Sequence, residues 1–106
     1  MTEAEQRLDF KVAVLALDAG CVAESPDSEC EGDLQAHHGL TQQQLRKHGL
    51  EEYLWDPRVG TAVCERHHRR HHNRREPIRL AALPMRVLTF AGTFDLMHVL
   101  ERYYAT

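Results

Sequence analysis

Residues 54–73, LWDPRVGTAVCERHHRRHHN, carry a turn, a short strand and a histidine-rich helix in one unbroken segment. Trp55-Asp56-Pro57-Arg58 has turn composition, with proline presetting φ and aspartate able to bond its own backbone. Gly60 to Val63 is then long enough for a short strand. From Glu65 the residues are helix-compatible until Pro77, and the spacing predicts a helix over 65–75. Cys64 falls at the strand-to-helix junction.

The segment implies its neighbours. Upstream, LQAHH (34–38) is a second short strand, and Thr41 to His48 a short helix with Gly49 as its terminating glycine. Between residues 21 and 33, CVAESPDSECEGD is a polar, turn-rich loop bracketed by Cys21 and Cys30. At the N-terminus, Thr2 and Glu5 form a capping-box pair, and Leu8, Val12 and Leu15 follow at helical spacing, predicting a helix over 3–18. Downstream, Pro84 suits a helix first turn with Val87, Leu88 and Phe90 on its apolar face and Gly92 at its end. A last helical stretch carries Leu96, Met97, Val99, Leu100 and Tyr103. The expected fold is α+β and mostly helical, one domain over 1–106, with two strands and a helix flanked by N- and C-terminal helices.

The chain has 106 residues, 42% hydrophobic and 27% charged, so its core is limited and a metal staple would help it. No apolar run approaches the roughly 18 residues that span a membrane. The acidic, polar start (MTEAEQRLDFKV) does not read as a secretory signal, and a cytoplasmic protein is the expectation. A formal net charge of −3 argues weakly against nucleic acid as a partner. Its distribution argues the other way: acids crowd residues 1–33, whereas RHHRRHHNRR (66–75) holds five Arg and no acid.

Eight His, six of them in three adjacent pairs, and an odd number of Cys point to metal ligation rather than to disulfides. Cys21, Cys30, Cys64 and His67 are the ligand types of tetrahedral structural zinc, with a Cys-x-x-His knuckle at 64–67. The alternative is three free thiols acting as small hydrophobes. Positions four apart share a helix face, so His68 and His72 can bind one ion with His37 or His38, and His67 and His71 form a second pair rotated by about 100°. Solvated surface histidines are the competing account. Adjacent strand residues point oppositely, so one of His37 and His38 can face the ion while the other flanks a phosphate. Arg66, Arg69, Arg70, Arg74 and Arg75 offer planar donors for phosphate oxygens, or else form an ordinary solvated face. Trp55 is expected to pin the long connection, Tyr103 and Tyr104 to pack, and His48 and His98, without partners at useful spacing, to be surface or satisfied histidines.

With LQAHH (34–38), residues 54–73 and the stretch from Ile78 to Pro84, the chain resembles HNH endonucleases encoded in bacteriophage genomes, from Cys21 to Tyr104. The resemblance implies a ββα-metal core and a metal-dependent DNA endonuclease leaving 5′-phosphate and 3′-hydroxyl ends. It implies one divalent catalytic ion (Mg²⁺, Mn²⁺, Ni²⁺ or Zn²⁺) on His37, His68 and His72, with His38 as general base and Cys64 as the first knuckle cysteine. His67 stands where the family has a second cysteine and keeps a zinc ligand. The family's central Asn, five residues before the knuckle cysteine, is Val59 here. Valine has no hydrogen-bonding side chain, so His38 is oriented another way, for instance by a backbone carbonyl, or activity is weakened. Two other functions stand beside nuclease: a zinc-stapled DNA-binding module with degenerate chemistry, and a phage packaging accessory acting with a terminase partner.

Overall fold

A computed structural model describes residues 1–106 and places helix α1 at Glu3–Leu17, strand β1 at Leu34–His38, helix α2 at Gln42–Lys47, strand β2 at Gly60–Cys64, and helices α3 at Glu65–His72, α4 at Met85–Thr93 and α5 at Met97–Tyr103. The fold is α+β with a single two-stranded antiparallel sheet. No helix is long and apolar enough to cross a membrane.

Local chemistry sets the helix starts. Thr2 accepts from the Glu5 amide while Glu5 reaches back to Thr2, and Thr41 and Gln44 repeat the device at α2. Gly49 follows α2 at φ 71, a left-handed conformation that favours glycine. Two predicted helix ends are corrected. α3 stops at His72 instead of Arg75, because the Asn73 side chain accepts from the Arg75 amide and Arg74 turns left-handed at φ 64. Gly92 lies inside α4, which Phe90 and Phe94, with ring centroids 4.7 Å apart, carry to Thr93; Asp95 at φ 57 ends it.

The strands pair with His38 opposite Gly60 and His37 opposite Thr61. α1 packs on the sheet so closely that a Cβ at Gly60 would meet Phe10 Cζ at 2.5 Å and Val14 Cγ2 at 2.6 Å, so only glycine is accommodated there. Phe10, Val14, Val59, Val63, Val87, Phe90 and Leu100 belong to one apolar cluster that joins α1, the sheet, α4 and α5.

Asp18, capping α1, locks the layers together. It accepts from the Arg86 guanidinium at 2.9 and 2.8 Å, the Ala62 amide at 2.7 Å and the Thr61 hydroxyl at 3.2 Å, and its side chain is 8% exposed. Burial alone would raise its pKa, but these donors hold it below the ordinary 3.8. A depressed folded-state pKa contributes stability above the unfolded value that is lost as pH falls through the folded one. Wild-type melting temperature should therefore drop on acidification below about pH 4. Asp18→Asn should lose about 3 kcal/mol already at neutral pH, since Arg86 is left half-buried and unpaired. Thermal melts across pH 2.5–7 test this; equal stability of the variant and wild type at pH 7 would refute it.

Candidate metal centres

Two groups of side chains converge closely enough to hold metal ions: Cys21, Cys30, Cys64 and His67, and separately His37, His68 and His72, with the ligand atoms of each group all within 4.8 Å of one another.

In the first group, the loop after α1 brings Cys21 and Cys30 to the β2–α3 junction, held by the Val22 amide on the Ala62 carbonyl and the Glu65 and Arg66 amides on Asp33 and Glu31. His67 Nδ1 lies 3.0 Å from Cys64 Sγ, 3.6 Å from Cys21 Sγ and 3.8 Å from Cys30 Sγ. Tetrahedral bonds of about 2.0–2.3 Å give ligand–ligand edges of roughly 3.5–3.8 Å, which the Cys21 and Cys30 distances match while the Cys64 distance is shorter, so the four lie close enough to hold a metal ion. The far side of the ring is also set. Ser28 donates its hydroxyl to Glu76 and so accepts from His67 Nε2 at 2.8 Å. That leaves the lone pair on Nδ1, facing the three sulfurs. Arg70 holds Glu76 at 3.2 Å. Burial would raise the Cys64 thiol, but the His67 and Glu31 amides and its neighbours bring it to about 7, while burial and the adjacent sulfurs push Cys30 up.

In the second group, His37 is buried on β1 and its ring lies 5.0 Å from that of His68 and 5.7 Å from that of His72. Tyr104 donates its hydroxyl to the Gly39 carbonyl at 2.7 Å and therefore accepts from His37 Nε2 at 2.8 Å. His37 Nδ1 is then a bare lone pair, buried and without a protein partner. His68 follows the same logic: Gln35 Oε1 is 2.6 Å from Nδ1 and can only accept, so Nε2 carries the free lone pair. Burial first, and then the neighbouring imidazoles, lower the pKa values of His37 and His68, which keeps both neutral as ligands must be.

His71 does not join this group through Nδ1, which accepts the Ile78 amide at 2.9 Å; its ring stacks on Tyr104 at 4.7 Å. The i,i+4 pair of His67 and His71 is thus divided, one to the cysteines and one to the C-terminal segment.

His38, the next residue of β1, packs under α1 and lines the same cavities as His37 and His72. Its ring stacks on Phe10 at 4.6 Å and meets Trp55 edge-on at 5.5 Å. Nε2 lies 2.7 Å from the Leu54 carbonyl, an acceptor, so Nδ1 is unprotonated. Burial lowers its pKa and the Leu54 carbonyl partly offsets this. Val59 is fully buried in the core, and its carbonyl holds the Gly39 amide at 2.7 Å. A pocket of about 160 Å³ opens beside His37, His38 and His72, rimmed by Arg74.

The arginines separate. Arg69, Arg74 and Arg75 are exposed, Arg66 is half-buried with Nε unpartnered, and Arg70 is committed to Glu76.

Tyr104, Gln35, Ser28 and Glu76 escaped the sequence reading. Tyr104, expected only to pack, arrives because the C-terminus pairs with 78–80, the Leu80 amide on the Ala105 carbonyl at 2.7 Å and the Ala105 amide on Ile78 at 2.9 Å. Tyr104→Phe should lower divalent-ion affinity at the histidine site about 10- to 100-fold by freeing the His37 tautomer, with the Cys-site metal retained. Calorimetric titration with Mn²⁺ or Ni²⁺ measures it, and an unchanged affinity would show that the hydroxyl does not set the ligand. Comparison of the chain with protein-family models, curated proteins and solved structures found no match.

Proposed function

We propose that this chain is a metal-dependent DNA endonuclease of the HNH type, with structural zinc on Cys21, Cys30, Cys64 and His67. The observation that carries this reading is the pairing of a three-histidine set, two of whose tautomers are locked with the lone pair free, with a fourth, neutral histidine on the next residue of β1. The β1–β2–α3 order with ligands on β1 and α3 fits a ββα-metal core.

The residues divide the work. His37, His68 and His72 hold the ion, and Tyr104 and Gln35 orient two of them. A divalent ion held there would supply Lewis-acid charge neutralisation to the phosphodiester. His38 Nδ1 takes a proton from the attacking water, and the depressed pKa keeps that nitrogen unprotonated at neutral pH. The water oxygen bonds to phosphorus as the bond to the 3′ oxygen breaks; the 3′ oxygen leaves with the bonding pair and takes a proton from solvent, giving a 3′-hydroxyl and a 5′-phosphate. Arg74 lines the same pocket, and its guanidinium would hold a non-bridging oxygen.

Buried Val59 favours a second reading, a DNA-binding module without catalysis. Supercoiled plasmid incubated with Mg²⁺, Mn²⁺, Ni²⁺ or Zn²⁺ separates the two. Nicked or linear product with wild type, absent with EDTA and with His72→Ala, supports the enzyme. Binding without cleavage under every ion supports the module.

A further inference from the structure

The histidine pocket does not end at the histidines. Three cavities of about 350, 160 and 320 Å³ run together from α3 across α2 to α5, all lined by Thr41, with Gln43, Gln44 and Tyr103 each shared by two of them. None of the three linings contains an Asp or Glu, although the chain has 16 acids against 13 Lys and Arg. The two larger cavities elsewhere each carry acids, among them Glu24.

At the α2–α5 end, Gln43 and Lys47 stand one turn apart on α2, and His98 and Arg102 one turn apart on α5. Lys47 and Arg102 are exposed and make no ion pair within the chain. Between this cleft and the histidines lies Tyr103, 37% exposed, with the Arg74 guanidinium 5.0 Å from its ring centroid. A cationic groove interrupted by an accessible aromatic ring is the combination that holds unpaired nucleotides: cations follow the phosphates and the ring stacks a base.

We propose that the cleft between α2 and α5 carries a single-stranded flank of the nucleic-acid substrate, with Lys47 and Arg102 on its phosphates and Tyr103 under a base. This rests on the nuclease reading and specifies which side of the molecule the strand leaves by. His48 and His98, read from sequence as surface or satisfied histidines, line this exit.

The test compares wild type, Lys47→Ala/Arg102→Ala, Tyr103→Ala and the control Lys11→Ala, using fluorescence anisotropy of labelled oligo-dT and of a duplex without added divalent ion, and turnover of bis-p-nitrophenyl phosphate with the active ion. The double variant should bind oligo-dT about tenfold more weakly and lose about 1.4 from the slope of log affinity against log salt, at about 0.7 per phosphate contact. Tyr103→Ala should lose about tenfold on the oligonucleotide. Lys11→Ala should match wild type on both oligonucleotides, and the double variant and Lys11→Ala should turn over the small diester as wild type does, since it has no flank and neither set of residues lines the histidine pocket. Wild-type affinity and salt slope in the double variant, with the diester still hydrolysed, would overturn the cleft and leave the nuclease reading standing. Loss confined to the duplex would overturn the single-strand assignment. A wild type that neither binds DNA nor cleaves the diester would bring down the nuclease reading and the cleft with it.

Discussion

Cys64→Ser is expected to lower the melting temperature by at least about 15 °C and to abolish stoichiometric zinc, and chelation of the wild type should do the same. The reason is where the four ligands lie. Cys21 and Cys30 bracket a polar loop, Cys64 ends β2 and His67 is in the first turn of α3. The loop contributes no residue to the fully buried core; beyond Cys21, Val22 and Ala23 resting against the edge of that core, it is tied by a few backbone hydrogen bonds and by Ser28 to Glu76 and His67. Closing it costs chain entropy that polar residues do not return. Structural zinc contributes on the order of 10 kcal/mol in small domains, comparable to the whole net stability of a protein this size. Serine keeps the volume but is a far poorer ligand, so the cage would lose its anchor at the strand end, and α3 the contact that seats it. Metal content by mass spectrometry and thermal melts with and without chelator read this directly. A wild type purified without zinc, melting within a few degrees of the variant, would mean that the four residues hold no structural metal and that Cys21, Cys30 and Cys64 are free thiols.

The elements and the ligands were legible in the sequence to different depths. Capping pairs such as Thr2 with Glu5, and a glycine after α2, act within one turn, so the helix positions follow from short windows. Both candidate groups were legible as sets because thiols and imidazoles at such density have few other uses, and the structure brings the members of each within 4.8 Å of one another. What holds the ligands was not. Tyr104 and Gln35 are common residue types at no informative spacing, and their roles depend on which ring nitrogen lies 2.6–2.8 Å away after the chain has folded. Ser28 and Glu76 reach His67 from the loop and from beyond α3 in the same way. The early end of α3 was hidden for a different reason: Asn73 competes with the helix through its side chain, a preference that residue-by-residue helix compatibility understates.

His38→Ala should reduce metal-dependent nicking by about a thousandfold, within the usual range for a positioned general base, while metal content at both sites stays at wild-type level. His38 touches neither ligand group through a hydrogen bond; its contacts are Phe10, Trp55 and the Leu54 carbonyl. The substitution therefore separates proton transfer from metal binding. It also opens a ring-sized space beneath Phe10, so added imidazole should restore part of the rate, which a purely structural role would not allow. Val59→Asn supplies the converse control. If His38 were poorly oriented for want of the Asn that the HNH endonucleases resembling this chain carry at that place, Val59→Asn would raise activity. Val59 is 0% exposed and the job of orienting His38 is done by Leu54, so an amide placed there has no partner waiting. Val59→Asn should instead cost about 1–3 kcal/mol of stability and give no gain in rate. Faster nicking by Val59→Asn would show that the Leu54 carbonyl is an inadequate substitute. Undiminished nicking by His38→Ala would remove His38 as the base and leave the reaction without an assigned proton acceptor.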